Sequence, residues 1–418
     1  MTNPPTTRFH EKNREERIDT VRSFAGLSKD DVEILKSNGG ISFAEADHMV
    51  ENVIGTLSFP LGIATNFMIN NKDYLIPMVI EESSVVAAAS KAAKIARRRG
   101  GFIMKSDEAY SIGQIQIVDV NVRSAIPKIL KASRKILKLA NSKSKTLSKM
   151  KKGAKKVTCK KLETKSGTML IVELLIDVGD AMGANVTNTM CEGVAPLIEE
   201  ITGGRAVLRI LSNYSTKRLV RGRAVFDKEE VGGKQIVDNI VHAYNFAAND
   251  PYRAVTHNKG VMNGIIAVAN STGQDTRAIE AASHAFASKD GKYTSLTKWK
   301  KDKQGNLVGE IEIPMPVGIV GGIINVHPMI SVCLKILRVK SAKELACVIG
   351  AVGLAQNFSA IRALASEGIQ KGHMRLHAKN IAISAGVPKN KIHEVASRMI
   401  QENNVSVTRA KEIFRSGD

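Results

Sequence analysis

The stretch "SAKELACVIGAVGLAQNFSAIRALASEGI", residues 341–369, sets the architecture of this 418-residue chain. It is long, nearly uncharged and rich in small residues, so no polar stripe marks a solvent side. A helix apolar all round is enclosed, and the spacing predicts a buried central helix here. The flanking segments fit such a core. Residues 83–98 read as an alanine-rich helix after an apolar strand, and "VDNIVHAYNFAANDPYR" and "RAIEAASHAFASKDG" read as further helices. Two stretches free of Asp, Glu, Lys and Arg, residues 52–71 and 313–334, are long enough to cross a bilayer. The first holds Pro60, Gly55 and Gly62, and the second Pro314, Pro316, Pro328, Gly318, Gly321 and Gly322. Breakers at that density suit buried turns and strands, so no membrane span is expected.

Inside this frame lies a segment of different rhythm. "GQIQIVDV", residues 113–120, alternates as a half-buried strand does. A helix starting near Pro127 follows, then a lysine-rich connection, a strand in "GTMLIVELLIDVGD", the helix "VTNTMCEGVAPLIEEI" and the strand "RAVLRILSN". The pattern predicts an α+β chain. A large, mostly helical domain (1–112 and 214–370) carries an inserted small α+β domain (113–213). Residues 371–418 form a helical C-terminal flap.

Composition narrows the function. With 43% hydrophobic and 24% charged residues the chain is globular. Cys159, Cys191, Cys333 and Cys347 lie far apart with no C-x-x-C pair, which speaks against a zinc module or disulfide framework and for a reducing cytoplasm. The polar start, "MTNPPTTRFHEKNREERID", shows no secretory signal. Of the net charge of +21, residues 123–165 supply +15, from 16 Lys or Arg against Glu163. Such a block attracts polyphosphates, whether nucleic acid or a phosphate-rich coenzyme. Aromatic residues for stacking bases are missing there, which weighs against nucleic acid.

The chemistry-bearing residues are ambiguous one at a time. Glu81 and Glu82 stand where a strand gives way to a helix. Neighbouring helical residues diverge by about 100°, so one can be solvated while the other faces inward. "DAMGAN", residues 180–185, is a strand end, a glycine turn and a helix start whose N–H groups suit a pyrophosphate, although no G-x-G-x-x-G or Walker motif is present. Lys259 sits among amides and glycines in "PYRAVTHNKGVMNG", Asp275 heads a helix, and His373 and His377 share a helix face without a third metal ligand. Each also has an ordinary structural reading as a cap, a solvated charge or a core polar group.

Together, "ENVIG" (51–55), "PMVIEESSVVAAAS", "DAMGAN", "HNKGVMNG", "GQDTRAIEA", "PMPVGIVGG" and "GLAQNFSAIRALASEGIQKGHM" stand in the order and spacing of 3-hydroxy-3-methylglutaryl-coenzyme A (HMG-CoA) reductases. The chain resembles the second, soluble class over nearly its whole length. The resemblance implies Glu82, Lys259, Asp275 and His373 as catalytic residues, and Ser84, Arg253, Asn213, Gln356 and Asn357 as substrate contacts. It also implies a nicotinamide cofactor bound without a Rossmann fold by Asp180, Met182, Gly183 and Asn185, no metal, and a homodimer or higher even-numbered oligomer with interfacial active sites near "ENVIG". Where NADH-preferring relatives carry an acid, this chain has Ser144 between Lys143 and Lys145, so NADPH is expected over NADH. The implied reaction takes HMG-CoA to mevalonate and coenzyme A. Three alternatives stay open here: the reverse, mevalonate-degrading direction, a catalytically dead relative, and a basic nucleic-acid-binding protein.

Overall fold

A computed structural model describes residues 9–38, 41–366 and 378–416. Two antiparallel-rich sheets organise it. The larger has the order β2-β1-β3-β8-β10-β9, with β1 Leu61–Ile69, β2 Lys72–Val79, β3 Phe102–Ser106, β8 Leu219–Phe226, β9 Thr297–Lys301 and β10 Leu307–Pro314. The smaller runs β5-β6-β4-β7, with β4 Tyr110–Val118, β5 Gly153–Thr164, β6 Gly167–Asp177 and β7 Arg205–Ser212. Every pairing in the smaller sheet is antiparallel, unlike the parallel sheet of a Rossmann unit.

The helix Ala342–Ala365 is the central one, capped by Ser341 Oγ, which accepts from Glu344 N at 3.1 Å. Its glycines permit close approach on two sides. A Cβ on Gly350 would lie 2.7 Å from Val220 of β8, and one on Gly353 would lie 2.8 Å from Ile265 of the helix Pro251–Ser271. By length and composition it is the one described helix able to cross a membrane, yet 83% of its apolar window is buried inside the protein. The helix Val85–Arg97 lays Ala89, Ala92, Ala93 and Ala96, all fully buried, into the same core. A second core, made by residues between Ala109 and Ala206, joins the smaller sheet to the helix Ala184–Thr202. A third joins residues between Ala378 and Ile413.

Two local expectations need correction. The lysine-rich connection is largely the edge strand β5. A bulge between Ala154 and Lys156 breaks the alternation that would have marked it, and its lysines point to solvent, as suits an edge. The helix near Pro127 begins earlier, at Val122. Asn121 caps it, Pro127 is tolerated inside it, and a second helix, Ser133–Ser142, follows at Ala132.

Candidate active site

The strand β2 delivers Glu81 and Glu82 to the start of the helix Val85–Arg97. They part in the turn that precedes this helix, not as helical neighbours: Glu81 is exposed, while Glu82 turns towards the helix Pro251–Ser271. There its Oε2 accepts from Lys259 Nζ at 3.2 Å and from Asn263 Nδ2 at 3.3 Å. Lys259 and Asn263 are four apart and share a helix face. Asn263 is one of the amides that surround Lys259 in the sequence, and this spacing makes it a second donor to Glu82. The pair is open in the single chain, with side chains 62% and 36% exposed for Lys259 and Glu82. Lys259 is therefore no buried ammonium among the described residues, none of which covers its side chain beyond the Glu82 contact.

Asp275 does not complete a triad with them. It caps the helix Thr276–Ala287, accepting from Ala278 N at 3.0 Å, and pairs with Arg277 at 3.4 Å. Lys259 and Ser271 lie on one helix, twelve residues or roughly 18 Å apart along its axis, and Asp275 lies beyond its end. His373 falls outside the described residues.

Ser84 holds the N-cap position in a left-handed conformation (φ +76°) and makes no side-chain cap, leaving the first N–H groups of a 13-residue helix unanswered by a side chain. Such an N-terminus attracts anions. Ser84, Glu81 and Asp275 line a cavity of about 2040 Å³. Its wall is basic at Arg14, Arg17, Lys91 and Lys94, pairs three apart on two helices, a signal that sequence reading passed over.

Gln356 is buried, and its Oε1 has no hydrogen-bond partner among the described residues. Asn357, 1% exposed, faces the core instead. Its Oδ1 accepts from Thr297 Oγ1 (2.9 Å) and Trp299 Nε1 (2.8 Å), and its Nδ2 donates to His257 O (3.4 Å). With its amide so committed, Asn357 is not free to meet a substrate. Thr297 gives its only proton to Asn357, so its oxygen accepts from His257 Nε2 at 2.8 Å, and burial pushes the His257 imidazole down to about 4. Arg253 is half-buried near the start of its helix, where its N–H meets the Asp250 cap, and Asn213 is exposed just after β7.

On the smaller unit, Gly183 (φ +99°) stands at the N-cap of Ala184–Thr202 without a side-chain cap. Asp180 Oδ1 accepts from Ala342 N at 2.8 Å, Met182 is half-buried and Asn185 is exposed. Ser144 caps the short helix Lys145–Lys149, with Lys143 and Lys145 exposed beside it. Open helix N–H groups and flanking ammonium groups fit the phosphates of a dinucleotide. Among the described residues no cluster of three His, Cys, Asp or Glu could hold a metal.

A glutamate–lysine pair beside an anion-accepting helix start and a large basic-walled cavity suits reduction of an acyl group on a phosphorylated carrier. Known proteins agree with that class. The family model for hydroxymethylglutaryl-coenzyme A reductase matches residues 13–378, and the chain belongs to this family. The 3-hydroxy-3-methylglutaryl-coenzyme A reductase of Archaeoglobus fulgidus is 51% identical over 97% of this chain and 93% of its own length. A probable reductase of the same name from Borreliella burgdorferi is 38% identical over 89% of this chain and 85% of its own. A Streptococcus pneumoniae reductase superposes with a TM-score of 0.84 at 38% identity, covering 99% of this chain and all of its own. A class II structure from that organism, bound to NADPH in open conformations, gives 0.83 at 39% over 86% and 100%. The fold and the family are those of the class II enzymes.

Proposed function

We infer that this chain carries out its family's reaction with Glu82 and Lys259 as the reacting pair. (S)-HMG-CoA is reduced to (R)-mevalonate and coenzyme A through mevaldyl-CoA and mevaldehyde, on the mevalonate route to isoprenoids. The observation that carries the assignment is the 3.2 Å contact between Lys259 and Glu82 beside the uncapped helix start at Ser84.

The nicotinamide cofactor supplies the two hydrides. As the thioester carbonyl becomes tetrahedral, its oxygen turns negative, and Lys259 stabilises that charge. One such donor is worth about 3–4 kcal/mol. Glu82, whose carboxyl accepts from Lys259 and Asn263, is the group placed to deliver a proton to the oxygen. As the carbon–sulfur bond breaks, the hemithioacetal hydroxyl returns its proton to Glu82, and the departing thiolate takes a proton from His373. In the second reduction the aldehyde oxygen takes its proton through the same pair. Ser84, Arg253, Asn213 and the unpartnered Gln356 bind the substrate's carboxylate and hydroxyl. Arg14, Arg17, Lys91 and Lys94 face the coenzyme A phosphates in the cavity.

Asp275 reaches Lys259 from a second copy of the chain, since within one copy it lies past the end of the lysine's helix. The active unit is thus a homodimer or a higher even-numbered oligomer. Residues 113–213 act as the cofactor domain, 1–112 and 214–370 as the substrate domain and 371–418 as the flap. The turn with Asp180, Met182, Gly183 and Asn185 holds the pyrophosphate. Ser144, Lys143 and Lys145 favour a 2′-phosphate, and so NADPH over NADH. Four free cysteines suit a reducing cytoplasm.

The test follows nicotinamide oxidation with HMG-CoA, comparing NADPH with NADH and counting cofactor per mevalonate. Two equivalents of cofactor, a preference for NADPH and a loss of about 10²–10³ in kcat for Lys259→Ala are expected. Near-normal turnover of Lys259→Ala would remove the lysine from the mechanism.

A further inference from the structure

We propose that Gln274, Gly318 and Arg218 form a strap of positioning residues holding the cofactor turn, residues 180–183, in register with Asp275; the proposal rests on the reading of that turn given above. Gln274 precedes Asp275 and pairs with the backbone of Gly318 in both directions. Its Nε2 donates to Gly318 O at 2.9 Å, and its Oε1 accepts from Gly318 N at 2.8 Å. A third bond, to Thr272 O at 2.7 Å, fixes the amide's orientation.

Gly318 in turn lies directly on the cofactor turn. A Cβ there would fall 2.5 Å from Met182 N and 2.8 Å from Ala181 C, which are backbone atoms that cannot swing aside. The next residue continues the contact, with Ile319 N donating to Asp180 O at 2.8 Å and Val320 bridging to Ala181. Arg218 closes the strap from the other side. It is 4% exposed, and its guanidinium donates to Met182 O (2.8 Å), Ala181 O (3.1 Å) and Val317 O. Among the described residues no carboxylate is within ion-pair distance of it, although Asp177 and Asp180 attract it from further off. A buried charge whose hydrogen bonds go to carbonyls is costly to desolvate, so what it secures is geometry. Arginine's rigid fork is suited to spanning two strands of backbone at once.

The turn therefore hangs on the larger unit, whereas the helix that follows it packs in the smaller core. A rigid link of this kind sets how the hydride donor approaches the substrate, and a displacement of about 1 Å is enough to slow transfer by about a hundredfold.

The strap is tested on the full-length enzyme with Gln274→Met, which keeps length and loses both Gly318 bonds, and with Arg218→Lys and Gly318→Ala. Amide hydrogen exchange of residues 178–185 in the ligand-free protein should accelerate. NADPH affinity, read from its fluorescence, should fall while HMG-CoA affinity holds. The primary deuterium isotope effect from deuterated NADPH should rise as hydride transfer becomes limiting. If the last two variants fail to fold, the half-exposed Gln274 still decides. Wild-type exchange, affinity and isotope effect in Gln274→Met would overturn the proposal. Asn185→Ala separates the two levels. Should it leave NADPH affinity unchanged, the cofactor reading of the turn is wrong, and the strap's role falls with it. Weakened NADPH binding in Asn185→Ala beside an unaffected Gln274→Met sinks the strap alone.

Discussion

Ser84 shows how single residues are set for chemistry at a cost to stability. A serine at φ +76° carries strain of about 1–2 kcal/mol, which glycine would not. Ser84→Gly should therefore raise the melting temperature modestly while weakening HMG-CoA binding, because the hydroxyl is lost. A thermal melt and a substrate titration check both signs. His257 makes a pH prediction. Its folded pKa is depressed to about 4, so the unfolded chain binds the extra proton between pH 4 and 6.5. Stability from this group is full above about 6.5 and declines as pH falls towards 4, by roughly 3 kcal/mol across the window. Replacing His257 with Gln should flatten that limb in denaturant titrations at successive pH values. At this scale the sequence was readable where local geometry decides. Glu81 and Glu82 divide, one outward and one towards Lys259, at the strand-to-helix junction where the sequence places them, although the turn before Val85 sets their directions and not a helical offset. It was opaque where distant partners decide, since Thr297 and Trp299, some sixty residues upstream, turn Asn357 into the core.

Among elements, the same divide separates the central helix from β5. The helix is legible because uniform apolarity has one stable placement. The strand is not, because an edge with a bulge and outward lysines loses the period that identifies strands. The helix Ala184–Thr202 carries a further consequence for cofactor choice. Gly193 sits in its interior, where glycine is less stable than alanine by about 0.5–1 kcal/mol. The stem of Lys143 fills the space a Cβ would take, at 2.5 Å from Cε and 2.8 Å from Cγ. Gly193→Ala should fold at least as well and lift Lys143 off the helix. The ratio of kcat/KM for NADPH to that for NADH should then drop towards the Lys143→Ala value, with little added effect in the double variant. An unchanged ratio in both single variants would remove Lys143 from 2′-phosphate recognition.

The whole molecule leaves its proposed chemistry uncovered, and that sets the last expectation. Lys259 lies open on a helix that also exposes Tyr252 (89%) and Val255, with Phe246 nearby on the preceding helix. The loop before β1 exposes Ile54 (100%), Leu57 and Phe59. Burying side chains of this size is worth about 1.5–3 kcal/mol each, enough in combination to hold two copies together. Covering Lys259 would also strengthen its field at a developing oxyanion, because the effective dielectric falls. Ile54→Asp should therefore yield monomers by sedimentation velocity, and turnover should fall with the oligomer fraction. Mixing inactive Lys259→Ala with inactive Asp275→Asn should restore part of the activity, because a mixed pair holds one intact lysine facing one intact aspartate. Full activity in monomeric Ile54→Asp, or no recovery on mixing subunits shown to exchange, would place the complete site within one chain.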